Sequence, residues 1–129
     1  MKVPDLAVVD EAGVHPWKGT TDLLKSAAAH AHLKFGSVDL AHAKDRATLF
    51  NELDGALKLP EHFGNNWDAL ADVLEDREWL GKTGHVVAIV HSAGYRKEHP
   101  TDWKTLEDIL AEAAEFWKER HVAFWVFVG

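Results

Sequence analysis

The sequence predicts an α/β protein with a compact, mostly parallel sheet of three or four strands and crossover helices. The predicted elements follow the order strand, helices, strand, helix, strand, which is typical of parallel strands connected through helices. Residues 85–90 and 122–128 are apolar at nearly every position, as expected for strands covered on both faces. No internal repeat or linker divides the chain, so we expect a single domain over residues 1–129.

The first 32 residues are interpreted as an N-terminal extension with one extra strand and one extra helix. A short edge strand is predicted near Val14–Trp17, because glycine and proline flank and interrupt this region. Thr20, Thr21 or Asp22 is expected to cap a short helix. Its small apolar residues favour one side of the helix and are Leu23, Leu24, Ala27, Ala28 and Ala31.

A strand followed by a helix is predicted between residues 33 and 57. Leu33, Phe35, Val38 and Leu40 form the strand pattern, which Gly36 interrupts. Asp45 is expected to cap the helix that follows. The apolar positions of this helix are Leu49, Phe50, Leu53, Ala56 and Leu57.

A second helix is predicted over residues 67–76, with Asn65 or Asn66 as its cap. At about 100° per residue, the positions of this helix separate into two sides. One side is apolar and carries Trp67, Leu70, Ala71 and Leu74. The other side is acidic and carries Asp68, Asp72, Glu75 and Asp76.

The C-terminal part of the sequence predicts strand, loop, helix and strand. A central strand follows Gly84, and Ser92–Pro100 is the longest predicted loop. Pro100 and Thr101 begin a helix whose apolar residues recur at helical spacing, and residues 122–128 form the last strand. Trp117 and Trp125 fall on core-facing positions of this helix and strand.

The charge balance disfavours direct binding of nucleic acid. Fourteen basic and 21 acidic residues give a net charge of −7, which repels phosphate backbones and attracts basic partners. A charge of this sign also serves solubility alone. The chain has no cysteine and no apolar stretch of membrane-spanning length, so we expect a cytoplasmic protein that binds no membrane.

The sequence contains no motif for catalysis or for metal binding. His30, His32 and His42 are the densest histidine group, but on a helix residues two apart diverge by about 200°, so they form no chelate. Ser92 beside His91 is the sole suggestion of a nucleophile and a base, and it lacks any motif. The glycines match neither a phosphate-binding loop nor a dinucleotide-binding loop. We therefore expect no enzyme, no cofactor and no metal.

One segment resembles a known family. Residues 59–74 read LPEHFGNNWDALADVL, which resembles the hallmark of the barstar family: Leu-Pro, an aromatic pair, Gly, Asn, then Asp-Ala-Leu and a second Asp. The order of elements from about Leu33 to Gly129 is also similar to that family. The first thirty residues resemble the extra strand and helix of longer barstar-related proteins.

The resemblance implies an intracellular inhibitor of a basic, secreted ribonuclease of the barnase type, which is guanyl-specific. In that family the loop and the start of the second helix enter the nuclease site, and an acidic side chain occupies the place of a substrate phosphate. Asp72 lies at that position here. The partner-binding residues implied by the motif and the acidic helix are His62, Gly64, Asn66, Trp67, Asp68, Ala69, Ala71, Asp72, Glu75 and Asp76.

Two departures from the family motif bear on the choice of partner. His62 stands where the family motif has a tyrosine, and Ala71 stands where it has a helix tryptophan. An alternative is therefore an immunity or binding module for another basic toxin or regulatory protein that uses the same helix. Whether Trp67 contacts the partner or the core is left open, and we expect a monomer.

The acidic helix face admits two interpretations. Asp68/Asp72 and Asp72/Asp76 are like charges at i, i+4, each costing about 0.2–0.5 kcal/mol, and no Lys or Arg within the predicted helix relieves them. Burial against Arg or Lys of a partner would turn this repulsion into charge-assisted hydrogen bonds. The other interpretation is a solvated face on which Asn66 and Asp68 act as caps.

Overall fold

The computed structural model describes residues 2–60 and 66–129. Four strands form one sheet in the order β1-β4-β3-β2, and each strand is parallel to its neighbours. The described strands are β1 Val14–Pro16, β2 Lys34–Asp39, β3 Gly84–Val90 and β4 Ala123–Val128. The described α-helices are α1 Thr21–His30, α2 Arg46–Leu57, α3 Trp67–Leu74, α4 Arg77–Leu80, α5 Ala93–Glu98 and α6 Pro100–Lys118. The predicted α/β class and the parallel sheet are confirmed.

Helices cover both faces of the two inner strands, as the continuous apolar runs predict. Val87 and Ile89 of β3 pack in the core beneath α2, α3 and α6. Val86 and Ala88 face the other way and share a second core with α1. The predicted core positions of Trp117 and Trp125 are confirmed, since these residues are 2% and 0% exposed.

The N-terminal residues add an edge strand to the sheet and cover its second face. β1 pairs with β4 at the edge of the sheet, where the sequence predicts an edge strand. Leu24 and Ala28 of α1 are fully buried in the second core. The Trp125 indole N–H donates to the carbonyl oxygen of Leu6 at 3.0 Å, so the segment before β1 is also held against the sheet.

Gly36 does not interrupt β2, which continues through it. A Cβ atom at this position would lie 2.9 Å from Leu57 Cδ2 and 3.2 Å from the Ala56 carbonyl oxygen. These distances are shorter than ordinary van der Waals contact. The glycine therefore allows the end of α2 to pack closely on β2.

The start of α2 is fixed by the predicted cap. Asp45 Oδ1 accepts a hydrogen bond from the Thr48 backbone N–H at 2.9 Å, and Thr48 Oγ1 accepts from the Asp45 backbone N–H at 3.0 Å. These reciprocal bonds satisfy backbone donors that the helix itself leaves without a partner.

We expect Asp45→Ala to lower the free energy of unfolding by about 1 kcal/mol, because the Thr48 N–H loses its partner. Urea denaturation measures this loss. Asp54→Ala, at an exposed position later in the same helix, is the matched control and should change stability much less. Equal losses in the two variants would contradict the capping role.

Two further sequence predictions are corrected by the structure. The predicted helix over residues 67–76 is two helices: α3 ends at Leu74, and Asp76 caps α4, its Oδ1 accepting from the Glu78 backbone N–H at 2.8 Å. The predicted loop Ser92–Pro100 contains α5, in which Tyr95 is the one buried residue. So short a helix with so little apolar periodicity has no clear sequence pattern.

Among the described residues, none of the helices is long and apolar enough to cross a membrane.

Candidate functional site

Helix α3 is anchored at both ends. Asn66 is its N-cap, and the side-chain Oδ1 accepts from the Ala69 backbone N–H at 2.8 Å. At the other end, the Trp117 indole N–H of α6 donates to the Leu74 carbonyl oxygen at 2.7 Å. The helix is therefore held in one position before any partner arrives. Asn65, the alternative cap, lies outside the described residues.

The apolar side of α3 packs into the main core. Leu70, Val73 and Leu74 are buried, and Ala71 is partly buried. Val73 was not placed on this side by the sequence analysis, although its position between Leu70 and Leu74 agrees with helical spacing.

Trp67 lies at the rim between core and solvent. Its ring centroid is 4.8 Å from that of Phe50, and the Arg46 guanidinium lies 5.6 Å from the ring centroid. Trp67 is only partly buried. It therefore packs on the core and keeps exposed area at the start of α3.

Asp68 and Asp72 lie one helical turn apart on the exposed side of α3. Neither carboxylate forms an ion pair within the part of the chain that the structure describes. The partly buried Ala69 follows Asp68. The arrangement leaves two negative charges on the exposed side of α3, and no cation among residues 2–60 and 66–129 forms an ion pair with them.

Glu75 extends this acidic surface toward α6. It is the C-cap of α3, and burial raises the pKa of its carboxyl, with further raising by the charges of Glu112 and Asp72 and a smaller opposing effect of Arg120. Glu112 lies on α6 and was missed by the sequence analysis. Its proximity to Glu75 could not be predicted from the sequence around residue 112. Only the packing of α6 against α3 brings the two carboxylates near each other.

The remaining predicted site residues lie apart or outside the described chain. Asp76 is exposed, but it caps α4 and does not continue the acidic side of α3. His62 and Gly64 lie outside the described residues. The structure thus brings together Asp68, Asp72 and Glu75, and it places Asp76 at the next helix.

The residues considered for other chemistry make separate contacts. The Ser92 hydroxyl donates to the Gly129 carbonyl oxygen at 2.8 Å, whereas His91 Nδ1 lies 2.9 Å from Asp39 Oδ1. Within residues 2–60 and 66–129, no group of three or more His, Asp or Glu side chains is arranged to hold a metal ion.

Comparison with known proteins identifies the family. The chain matches no curated protein. The model of the family described as Barstar (barnase inhibitor) matches residues 33–129, which is three quarters of the chain and includes α2, α3 and the three strands β2, β3 and β4. That description is of an inhibitor. This chain belongs to the barstar family.

Proposed function

We propose that this chain inhibits a basic, secreted ribonuclease of the barnase type inside the producing cell. In this proposal the start of α3 and the loop before it cover the active site of the nuclease, and the Asp72 carboxylate takes the place of a substrate phosphate. The observation that carries the proposal is the pair Asp68 and Asp72, exposed and without an ion pair in the described residues, on a helix fixed at both ends.

The chemistry of the nuclease explains why carboxylates suit this role. A ribonuclease binds the phosphates of RNA with cationic side chains, and the same cations form charge-assisted hydrogen bonds with carboxylates. Because α3 is anchored at Asn66 and Leu74, binding does not have to order this helix, which lowers the entropic cost of docking it. Occlusion then requires no catalytic group in the inhibitor.

The proposed docking surface consists of the residues implied by the motif and by the acidic helix. It comprises His62, Gly64, Asn66, Trp67, Asp68, Ala69, Ala71, Asp72, Glu75 and Asp76. Of these, Asp72 is proposed to contribute most, because it combines exposure with a central position on the acidic side of α3. Asp76 lies at the periphery, since its Oδ1 accepts the Glu78 N–H.

The departures from the family motif favour a nuclease other than barnase itself as the best partner. Ala71 is partly exposed and is much smaller than the tryptophan of the family motif, so the complementary surface of the partner must differ there. For the same reason, a second candidate partner is another basic toxin that binds the same helix.

The proposal is tested by titrating barnase, and separately the guanyl-specific ribonuclease secreted by the host, with the folded chain at low salt. We expect the activity of the host nuclease to fall linearly to zero at one equivalent. If both nucleases stay active at several equivalents, the ribonuclease proposal is wrong. Binding to another basic toxin would then favour the second candidate.

Association with the nuclease should slow steeply as salt is added. Opposite charges accelerate the encounter of two proteins, and salt screens them over about 8 Å at physiological ionic strength. We expect the association rate constant to fall by about tenfold or more between low and high salt, with a much smaller change in the dissociation rate constant. Stopped-flow tryptophan fluorescence measures both rate constants. An association rate constant that is insensitive to salt would contradict the acidic face as the docking surface.

A further inference from the structure

Arg46 connects the start of α3 to helix α6. It is the first residue of α2, and its guanidinium lies 5.6 Å from the centroid of the Trp67 ring. The same guanidinium donates through Nη2 to Asp102 Oδ1 of α6 at 2.9 Å. One side chain of α2 therefore contacts both the tryptophan at the start of the acidic helix and a carboxylate of α6.

The Asp102 carboxylate is itself held in place. Its side chain is only 13% exposed, and its second oxygen, Oδ2, accepts a hydrogen bond from the Tyr95 hydroxyl of α5 at 3.3 Å. Tyr95 is buried in the main core. Because the core fixes Tyr95, and Tyr95 in turn fixes Asp102, the carboxylate gives Arg46 a firm point of attachment.

A cation is unfavourable at the position of Arg46. The first turn of a helix carries a partial positive charge, which disfavours basic side chains, and no acidic residue lies in the first turn of α2. A cation close to the start of α3 would also repel a basic nuclease. Neither the helix nor the charge of the docking surface accounts for Arg46, whereas its contacts with Trp67 and Asp102 do.

Trp67 has the largest side chain of the proposed docking surface among the described residues. Its ring packs on Phe50 with centroids 4.8 Å apart, and it keeps exposed area. Aromatic side chains of this kind often contribute much of the binding energy of an interface. A ring that is already fixed in the free protein does not have to be ordered when the partner binds.

We propose that Arg46 is a positioning residue of the docking surface. Bound to Asp102, it fixes the Trp67 ring in the orientation that meets the nuclease, and it acts through this ring without contacting the nuclease itself. The partner must then offer the indole an apolar surface beside the cations that meet the carboxylates of α3. This inference rests on the proposed function.

The first measurement uses the free chain labelled with ¹⁵N. The heteronuclear NOE of the indole N–H groups reports fast motion of each tryptophan ring, and Trp67→Leu identifies the Trp67 signal by its loss. We expect this NOE to fall in Arg46→Gln and to keep its native value in Lys44→Gln. Lys44→Gln is the matched control, because it removes an exposed cation two residues away and leaves the backbone carbonyl that contacts His99.

The second measurement is the binding kinetics of a nuclease that the native chain inhibits. Arg46→Gln and Lys44→Gln each remove one cation, so their association rate constants should change alike. Only Arg46→Gln should raise the dissociation rate constant, by about three- to fivefold, which is the effect of an exposed cation–π contact. Arg46→Lys keeps a cation near the ring and should recover part of this effect. In Trp67→Leu, the further change Arg46→Gln should leave dissociation unaltered.

Each measurement has a result that would overturn the proposal. An unchanged NOE of Trp67 in Arg46→Gln would show that Phe50 alone fixes the ring. Equal dissociation rate constants of Arg46→Gln and Lys44→Gln would show that Arg46 acts only as a charge. An effect of Arg46→Gln that persists in Trp67→Leu would show direct contact with the nuclease.

Failure of the proposed function has a different signature. The native chain itself would then inhibit no nuclease, and the docking role of Arg46 would be wrong even if the NMR of the free chain shows that Arg46 fixes Trp67. Retained NMR dispersion in each variant establishes that a change in binding is not a loss of folding.

Discussion

Replacing Asp72 by alanine is expected to weaken binding of the cognate nuclease by about 2–5 kcal/mol, which is roughly 30- to 5,000-fold in the dissociation constant. The proposed complex buries this carboxylate among the cations that hold a substrate phosphate. Its removal leaves those cations buried without a counter-charge, and this penalty adds to the lost hydrogen bonds. The dissociation constant is measured by inhibition of the nuclease at several inhibitor concentrations.

Matched variants separate this effect from damage to the fold. Asp72 is exposed and lies one turn from the like-charged Asp68, so Asp72→Ala should leave the free energy of unfolding unchanged or raise it by about 0.2–0.5 kcal/mol. Asp72→Asn keeps the shape and should also bind weakly, because it lacks the charge. Asp22→Ala, on α1 at the opposite face of the sheet, should inhibit normally. Normal inhibition by Asp72→Ala would contradict the proposed docking site.

The elements predicted well from the sequence are those whose signals are local. The runs before and after α6 are apolar at nearly every residue, and both are inner strands of the sheet. Asp45 and Asn66 precede helical patterns and cap α2 and α3 through their own side chains. A capping bond spans three residues, so the sequence contains all the information that it requires.

The features that escaped prediction depend on contacts between distant segments. Helix α3 ends at Leu74 partly because Trp117 of α6 donates to that carbonyl, and no periodicity within residues 67–76 shows it. Glu112 lies near Glu75 because α6 packs against α3. His85 reads in the sequence as the first residue of an apolar strand, and its stacking on Trp79 arises from the position of α4. Pairing across such distances is a property of the packed fold.

His85 is expected to make the protein lose stability in mild acid. Burial, together with a smaller effect of the positive charge of Lys34, lowers the pKa of His85 from 6.5 to about 4. His85 lines a cleft at the start of β2 and β3 together with Lys58, which carries a positive charge, and Glu78, which carries a negative one. Between pH 6.5 and 4 the unfolded chain binds a proton that the folded chain does not, so the free energy of unfolding falls with the pH. The loss from this group approaches about 3 kcal/mol below pH 4.

The comparison that isolates this contribution is the native chain against His85→Phe, each unfolded by urea at a series of pH values from 7 to 4. Protonation of the acidic residues affects both proteins alike, so the difference between the two curves reports His85. We expect His85→Phe to be at least as stable at pH 7, because it leaves no buried nitrogen without a partner, and to exceed the native chain by about 3 kcal/mol more at pH 4 than at pH 7. Parallel curves would show that His85 takes up its proton equally in the folded and unfolded states, and would contradict its burial as a neutral group.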